Sequence, residues 1–357
     1  MDLSAARQLI NPEVRGLRAY HLNPEHVSVK LNQNENPFDW PASVKEEVAA
    51  FTRTRPWNRY PEFVPGRLNE AVAAYAGVGA DQVIVGNGSN EMLLVLLLAL
   101  SSSTRPLITC QPTFTVYRLL AAGLGRDHEP AYLTDNLAYD IDAILGVRED
   151  APRGVILLCS PNNPTGSALS EEQMRAVLDF HEGFCIVDQA YVEFGGYDAT
   201  PLLAQYPNLI ITRTFSKAFG AAGMRLGYLI GAAEVVAEVR KIKLPYNVNF
   251  FSSYAATVLL SHADMARERA AVIVQERDRI GRFLRDIPRL TAFESSANFI
   301  LIRVPDKDAL VRSLRGEDIL VRDVSSYPML DNCLRLSVGT REENDRLMAG
   351  LARHYAA

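Results

Sequence analysis

Phe184-Cys185-Ile186-Val187-Asp188-Gln189-Ala190-Tyr191 decides how this chain is read. Four apolar residues in a row suit a strand buried on both faces, and the run stops on a carboxylate, an amide and a phenol. The same arrangement recurs on either side. Upstream, residues 154–159 form an apolar run that ends in Ser160-Pro161-Asn162-Asn163-Pro164-Thr165-Gly166. Downstream, residues 209–212 lead into Thr214-Phe215-Ser216-Lys217-Ala218-Phe219-Gly220, with Arg225 farther on. Strand candidates at 82–85, 107–110 and 227–230 alternate with helical patterns at 91–99, 170–181 and 232–243. The alternation predicts an α/β fold with a mainly parallel central sheet covered by helices, and a site where the strands end.

The flanks read differently. The opening segment through Pro37 is polar and weakly periodic, an arm that packs onto something else, and helical character begins near Ala42. After Leu244-Pro245-Tyr246-Asn247, one long helix is expected over 252–286, then short strands at 298–304 and 333–338. The expected organisation is an arm over 1–40 that contributes to the small domain, a large domain over 41–246 and a smaller α+β domain over 247–357. At 357 residues the chain is long enough for more than one core.

A formal charge of −5 argues against a broad nucleic-acid-binding face. The four cysteines are widely spaced, and three lie in or at the end of apolar runs, which suits reduced core thiols better than a disulfide framework. No clustered ligand set suggests a metal, and no apolar stretch suggests a signal core or a membrane span, so a cytoplasmic protein is expected.

The strand ends supply an amine, a cation, an acid, an amide and a phenol. Pyridoxal 5'-phosphate needs that set. The Lys217 amine can take the cofactor aldehyde, and Ser216 and Arg225 suit a phosphate dianion. Asp188, beside a pyridine nitrogen, would favour the protonated ring. Asn163 and Tyr191 offer hydrogen bonds to a phenolic oxygen. Gly86-Asn87-Gly88-Ser89-Asn90-Glu91, between a strand and a helix, makes a second phosphate cradle. Phe114 is placed to cover the ring. Each taken alone also fits a structural role: a solvated lysine, a turn-capping acid, a helix cap, a core aromatic. Their coincidence is the signal.

At this level the chain resembles the fold-type I aminotransferases, and within them the histidinol-phosphate aminotransferase family. The resemblance runs from Leu31-Asn32-Gln33-Asn34-Glu35-Asn36-Pro37 to Leu334-Arg335-Leu336-Ser337-Val338-Gly339-Thr340. It includes Asn58-Arg59-Tyr60-Pro61, Leu244-Pro245-Tyr246-Asn247-Val248-Asn249 and Ile319-Leu320-Val321-Arg322-Asp323. It implies that Lys217 carries the cofactor as a Schiff base, Asp188 partners the pyridinium, and Asn163 and Tyr191 meet the phenolic oxygen. Ser89, Asn90, Ser216 and Arg225 are then the phosphate site, with Tyr60 contributed across a homodimer interface to which the arm also contributes. Phe114 falls where the family often has a stacking tyrosine. Gln189 departs from the more familiar glutamate after the aspartate, but adjacent strand residues face opposite ways.

The resemblance further implies reversible amino transfer between L-histidinol phosphate and 2-oxoglutarate, giving imidazole-acetol phosphate and L-glutamate, in histidine biosynthesis. Arg335 is then the anionic-substrate anchor, and Tyr20, Asn247 and Arg322 lie near the substrate phosphate. The alternatives are an aromatic or other amino-acid aminotransferase, then a phospho-amino-acid decarboxylase or a noncatalytic cofactor-binding regulator.

Overall fold

The computed structural model describes residues 1–17, 27–151 and 153–356. In chain order the strands are β1 (Val29–Leu31), β2 (Val83–Gly86), β3 (Leu107–Gln111), β4 (His128–Tyr132), β5 (Val155–Cys159) and β6 (Cys185–Asp188). They continue with β7 (Leu209–Thr214), β8 (Gly227–Gly231), β9 (Thr291–Ala292), β10 (Phe299–Arg303), β11 (Ile319–Asp323) and β12 (Cys333–Ser337).

Seven strands form the large sheet in the order β2-β8-β7-β6-β5-β3-β4. β4, β3, β5, β6 and β7 pair in parallel; β8 runs against both β7 and β2, so it alone is reversed. Every residue of β5, β6, β7 and β8 is buried, which is why β5 and the first residues of β6 and β7 read as apolar runs; β6 ends in Asp188 and β7 in Thr212, Arg213 and Thr214. Helix Ser89–Leu100 is apolar almost all round and puts Met92, Leu93, Leu96 and Leu97 into the core on one side of the sheet. Helix Glu171–Phe180, held at its start by a reciprocal Ser170/Gln173 cap, contributes Met174, Val177 and Leu178 to the core on the other.

β4 is absent from the sequence reading because His-Glu-Pro-Ala-Tyr is an edge strand with one buried residue, Ala131, and a proline that an edge tolerates. The single helix expected over 252–286 is corrected to two, Phe250–Ser261 and Ala263–Arg285, meeting at His262 with φ −110° and ψ 28°. The first buries Ala255, Ala256 and Leu259 in the large core; the second begins there with Ala263 and Ala266 and then turns Ala270, Ile273, Ile280 and Leu284 into the core of the second sheet.

That second sheet has the order β1-β11-β12-β10-β9. β1 pairs in parallel with β11, so the opening segment is a strand of a sheet otherwise made from the end of the chain. Helices Lys307–Gly316 and Arg341–Ala356 also pack here through Leu310, Leu314, Leu347 and Leu351. The four cysteines are free and buried. No helix among the described residues is long and apolar enough to cross a membrane.

Candidate active site

A cavity of about 340 Å³ opens where β5, β6 and β7 end, closed on its far side by residues 32–35 and by β12. Asp188, the last residue of β6, is buried; its Oδ2 accepts from the Tyr117 hydroxyl at 2.7 Å and its Oδ1 from the Ala190 N–H at 3.2 Å. Burial pushes the Asp188 pKa up, and the hydrogen bonds to its charged form pull it back.

Lys217 lies in the turn after β7, half-buried, with Nζ donating to the carbonyls of Gln33 and Asn34 at 3.1 Å each. Its amine is 5.6 Å from the centre of the Tyr191 ring. Burial first, then the Arg335 and Arg225 cations, lower its pKa to about 7 against the pull of Glu35.

At one end of the cavity three backbone-derived features meet. Ser89 and Asn90 open helix Ser89–Leu100, so unpaired helix N–H groups bear on the cavity. Ser216 is held by its N–H to Thr214 Oγ1 at 3.1 Å. Arg225, at φ 52°, donates from Nη1 to the Ala222 carbonyl at 3.1 Å. Gly88, at φ 79°, lets the turn approach: a Cβ there would lie 2.9 Å from Arg225 Nη2.

At the other end, Arg335 of β12 donates from Nη1 to Asn163 Oδ1 at 2.6 Å and from Nη2 to the Asn32 carbonyl at 2.8 Å, with its guanidinium 5.3 Å from the Phe299 ring centre. Tyr191 Oη accepts from Asn34 Nδ2 at 3.1 Å, and burial raises its pKa. Phe114 lines the cavity and meets Tyr117 edge-on.

Other expected site residues lie elsewhere. Asn247 does not line the cavity; it donates to Glu91 Oε2 at 2.9 Å, accepts from Lys243, and through its carbonyl holds Asn87 Nδ2 at 2.6 Å, beside the Ser89 turn. Arg322 is outside the lining too, but it stands directly opposite Arg335 in the β11/β12 register, which puts both on one face of the sheet. Tyr60 is 83% exposed and stacks on Tyr246 with ring centres 4.7 Å apart. Tyr20 lies outside the described residues.

Gln189 faces away from the cavity, bonded to the Tyr197 carbonyl and to Arg213 Nη2 at 2.8 and 3.0 Å. Tyr117 and Asn34 carried no assigned role in the sequence. Tyr117 lies three residues after Phe114, in the first turn of helix Val116–Gly123, a usable signal; Asn34 has none in local pattern, since its partners are far away in the chain.

Residues 27–351 match the family Aminotransferase class I and II. The histidinol-phosphate aminotransferase of Chlorobaculum tepidum is 38% identical over 342 residues, covering 95% of this chain and 98% of that protein. The chain belongs to the histidinol-phosphate aminotransferase family. The solved histidinol-phosphate aminotransferase from Clostridium acetobutylicum superposes with a TM-score of 0.84 at 25% identity, over 92% of this chain and 99% of that one. The Sinorhizobium meliloti histidinol-phosphate aminotransferase, solved in complex with pyridoxal-5'-phosphate, has the same fold, with a TM-score of 0.85 at 24% identity over 98% of each chain. Within this family's fold, the cavity gathers residues from both sheets and from the opening segment.

Proposed function

We propose that the protein transfers an amino group reversibly between L-histidinol phosphate and 2-oxoglutarate, yielding imidazole-acetol phosphate and L-glutamate in histidine biosynthesis, with pyridoxal 5'-phosphate as resident cofactor. The observation that carries this reading is the cavity itself: a lysine with a pKa near 7, a buried carboxylate across from it, and anion-receptive groups at its two ends.

The residues fit the cofactor. Gly88 keeps open the space beside Arg225, and Ser89, Ser216 and Arg225 offer a dianion donors and positive charge from three directions. Asp188, whose charged form accepts from Tyr117 and the Ala190 N–H, is the partner for a pyridinium. Phe114 covers the ring face. The cofactor supplies an aldehyde that takes up amines and a ring that accepts the electron pair left by a departing α-proton.

Lys217 would anchor that aldehyde, and its Nζ, whose pKa burial lowers to about 7, would be the base that takes the α-proton and returns it. Asn163 and Tyr191 would hold the cofactor's phenolic oxygen. Arg335 binds the anionic group of either substrate through its planar guanidinium. Arg322, Asn247 and Tyr20 are assigned to the phosphate monoester. Arg322 is supported by its register with Arg335, and Asn247 by its place at the Ser89 turn.

The exposed aromatic cluster of Tyr60, Phe63 and Tyr246 is read as a homodimer face that presents Tyr60 to the cavity of a second copy. Free, buried thiols support a reducing, cytoplasmic setting. The test is a side-by-side assay with histidinol phosphate, phenylalanine and aspartate as amino donors. Histidinol phosphate is expected to give the highest kcat/KM; a preference for phenylalanine would replace this reading with an aromatic aminotransferase.

A further inference from the structure

Asn34 is buried, lies at φ 55°, and makes five hydrogen bonds to four residues. Its N–H donates to Ser337 Oγ at 2.9 Å, and Ser337 Oγ donates back to Asn34 Oδ1 at 2.8 Å. Its Nδ2 donates to Tyr191 Oη at 3.1 Å. Its carbonyl accepts from Lys217 Nζ and from Asn298 Nδ2, both at 3.1 Å. Ser337 is on β12 and Asn298 lies just before β10, so the anchors belong to the second sheet and the residues they control belong to the first.

The proton directions follow in sequence. Ser337 Oγ receives the Asn34 N–H, and its own proton goes to Asn34 Oδ1. The amide is thereby turned so that its NH₂ faces Tyr191. The phenol oxygen is already an acceptor there, and among the described residues nothing accepts the phenol's proton, which is left to point into the cavity. The left-handed backbone at Asn34, which asparagine tolerates, aims the Gln33 and Asn34 carbonyls together at Lys217 Nζ.

We infer that Asn34 is a positioning residue, set by Ser337, that makes Tyr191 a hydrogen-bond donor toward the cofactor and provides the resting place of the Lys217 amine. The inference rests on the roles of Tyr191 and Lys217 given above.

Asn34→Asp tests it, because a carboxylate accepts from both Ser337 and Tyr191 and so turns the phenol's proton away from the cavity. Two readouts apply. In the full chain with cofactor bound, the pH midpoint of the cofactor's absorbance is expected to rise by about one unit or more in Tyr191→Phe and in Asn34→Asp, and no further in the double variant. In the cofactor-free full chain, competitive acetylation of Lys217 followed by peptide mass analysis is expected to give a wild-type midpoint near 7. Asn34→Asp should move that midpoint upward. The groups facing the amine are Arg335 and Arg225, which lower its pKa, and Glu35, which raises it; a new carboxylate acts with Glu35.

If Asn34→Asp does not fold, Ser337→Ala carries the test: freeing the amide to turn over should raise the cofactor's absorbance midpoint by less and, because it adds no charge, leave the Lys217 midpoint where it is in wild type. An unmoved cofactor midpoint in these variants, or shifts of Asn34→Asp and Tyr191→Phe that simply add, overturns the inference. Borohydride reduction of wild-type protein, mapped to Lys217, checks the underlying reading by itself: a label on another lysine would remove that reading, whereas a label on Lys217 with unmoved midpoints removes only the role of Asn34.

Discussion

Arg335 Nη1 and Asn163 Oδ1 are 2.6 Å apart, joining β12 of the second sheet to the loop after β5 of the first. In the proposed reaction, one guanidinium therefore serves the substrate anion while bracing the amide that meets the cofactor. Arg335→Ala is expected to weaken both half-reactions by about 2–5 kcal/mol in transition-state free energy, the cost of removing one partner from a buried charged contact. Arg322→Ala is expected to lower efficiency with histidinol phosphate far more than in the glutamate half-reaction. Pre-steady-state measurement of each half-reaction at saturating cofactor makes the comparison; equal losses for Arg322→Ala would assign it no phosphate-selective role.

Asp188→Asn keeps the shape of the side chain and a hydrogen-bond partner for Tyr117 but removes the charge. The step that withdraws the α-proton is expected to slow on the order of 10²-fold in single turnovers, with little change in substrate affinity. An unchanged rate with cofactor fully bound would remove Asp188 from its role as pyridinium partner.

Lys217→Ala leaves Ser89, Ser216 and Arg225 in place, so the protein is expected to retain cofactor noncovalently. Transamination should fall by at least about 10²–10⁴-fold, the scale of a lost general base. Borohydride followed by peptide mapping should find the covalent label in wild type on Lys217 and none in the variant.

The lowered pKa of Lys217 has a definite sign. Only the neutral amine attacks an aldehyde, and below pH 7 its fraction falls about tenfold per unit. Covalent loading of cofactor-free protein should therefore quicken as pH rises to about 7 and level off above it. Stopped-flow absorbance at a series of pH values reads this directly. A rate still climbing tenfold per unit up to pH 9 would show that burial and Arg335 do not act on the amine as described.

Gly227 of β8 lies under the Ser89 turn, where a Cβ would come within 2.2 Å of the Ser89 nitrogen and 2.5 Å of the Gly88 carbonyl carbon. Gly227→Ala must displace backbone, at a cost of about 1–3 kcal/mol. Lower thermal stability together with weaker cofactor affinity is expected, measured by calorimetry and by equilibrium titration.

The apolar runs of β5, β6 and β7, and the chemistry at their ends, were legible in the sequence because both are local. A strand buried on two faces must be continuously apolar, and a loop that leaves it must carry its own turn residues. So Asn163, Asp188, Tyr191 and Lys217 could be proposed together from their coincidence at the strand ends, and the opposite facing of Gln189 followed from strand alternation. Local pattern also misled: continuous helical character through 252–286 concealed the break at His262, beyond which the chain passes from the large core into that of the second sheet. Only the tertiary structure decided what faces those side chains. Tyr117 reaches Asp188 across 71 residues of chain, Asn34 reaches Ser337 across 303, and Arg335 reaches Asn163 across 172. Hydrogen bonds between distant residues leave no periodicity, because their partners are brought together by sheet order and by β1 crossing to β11, and these emerge only when the whole chain is packed.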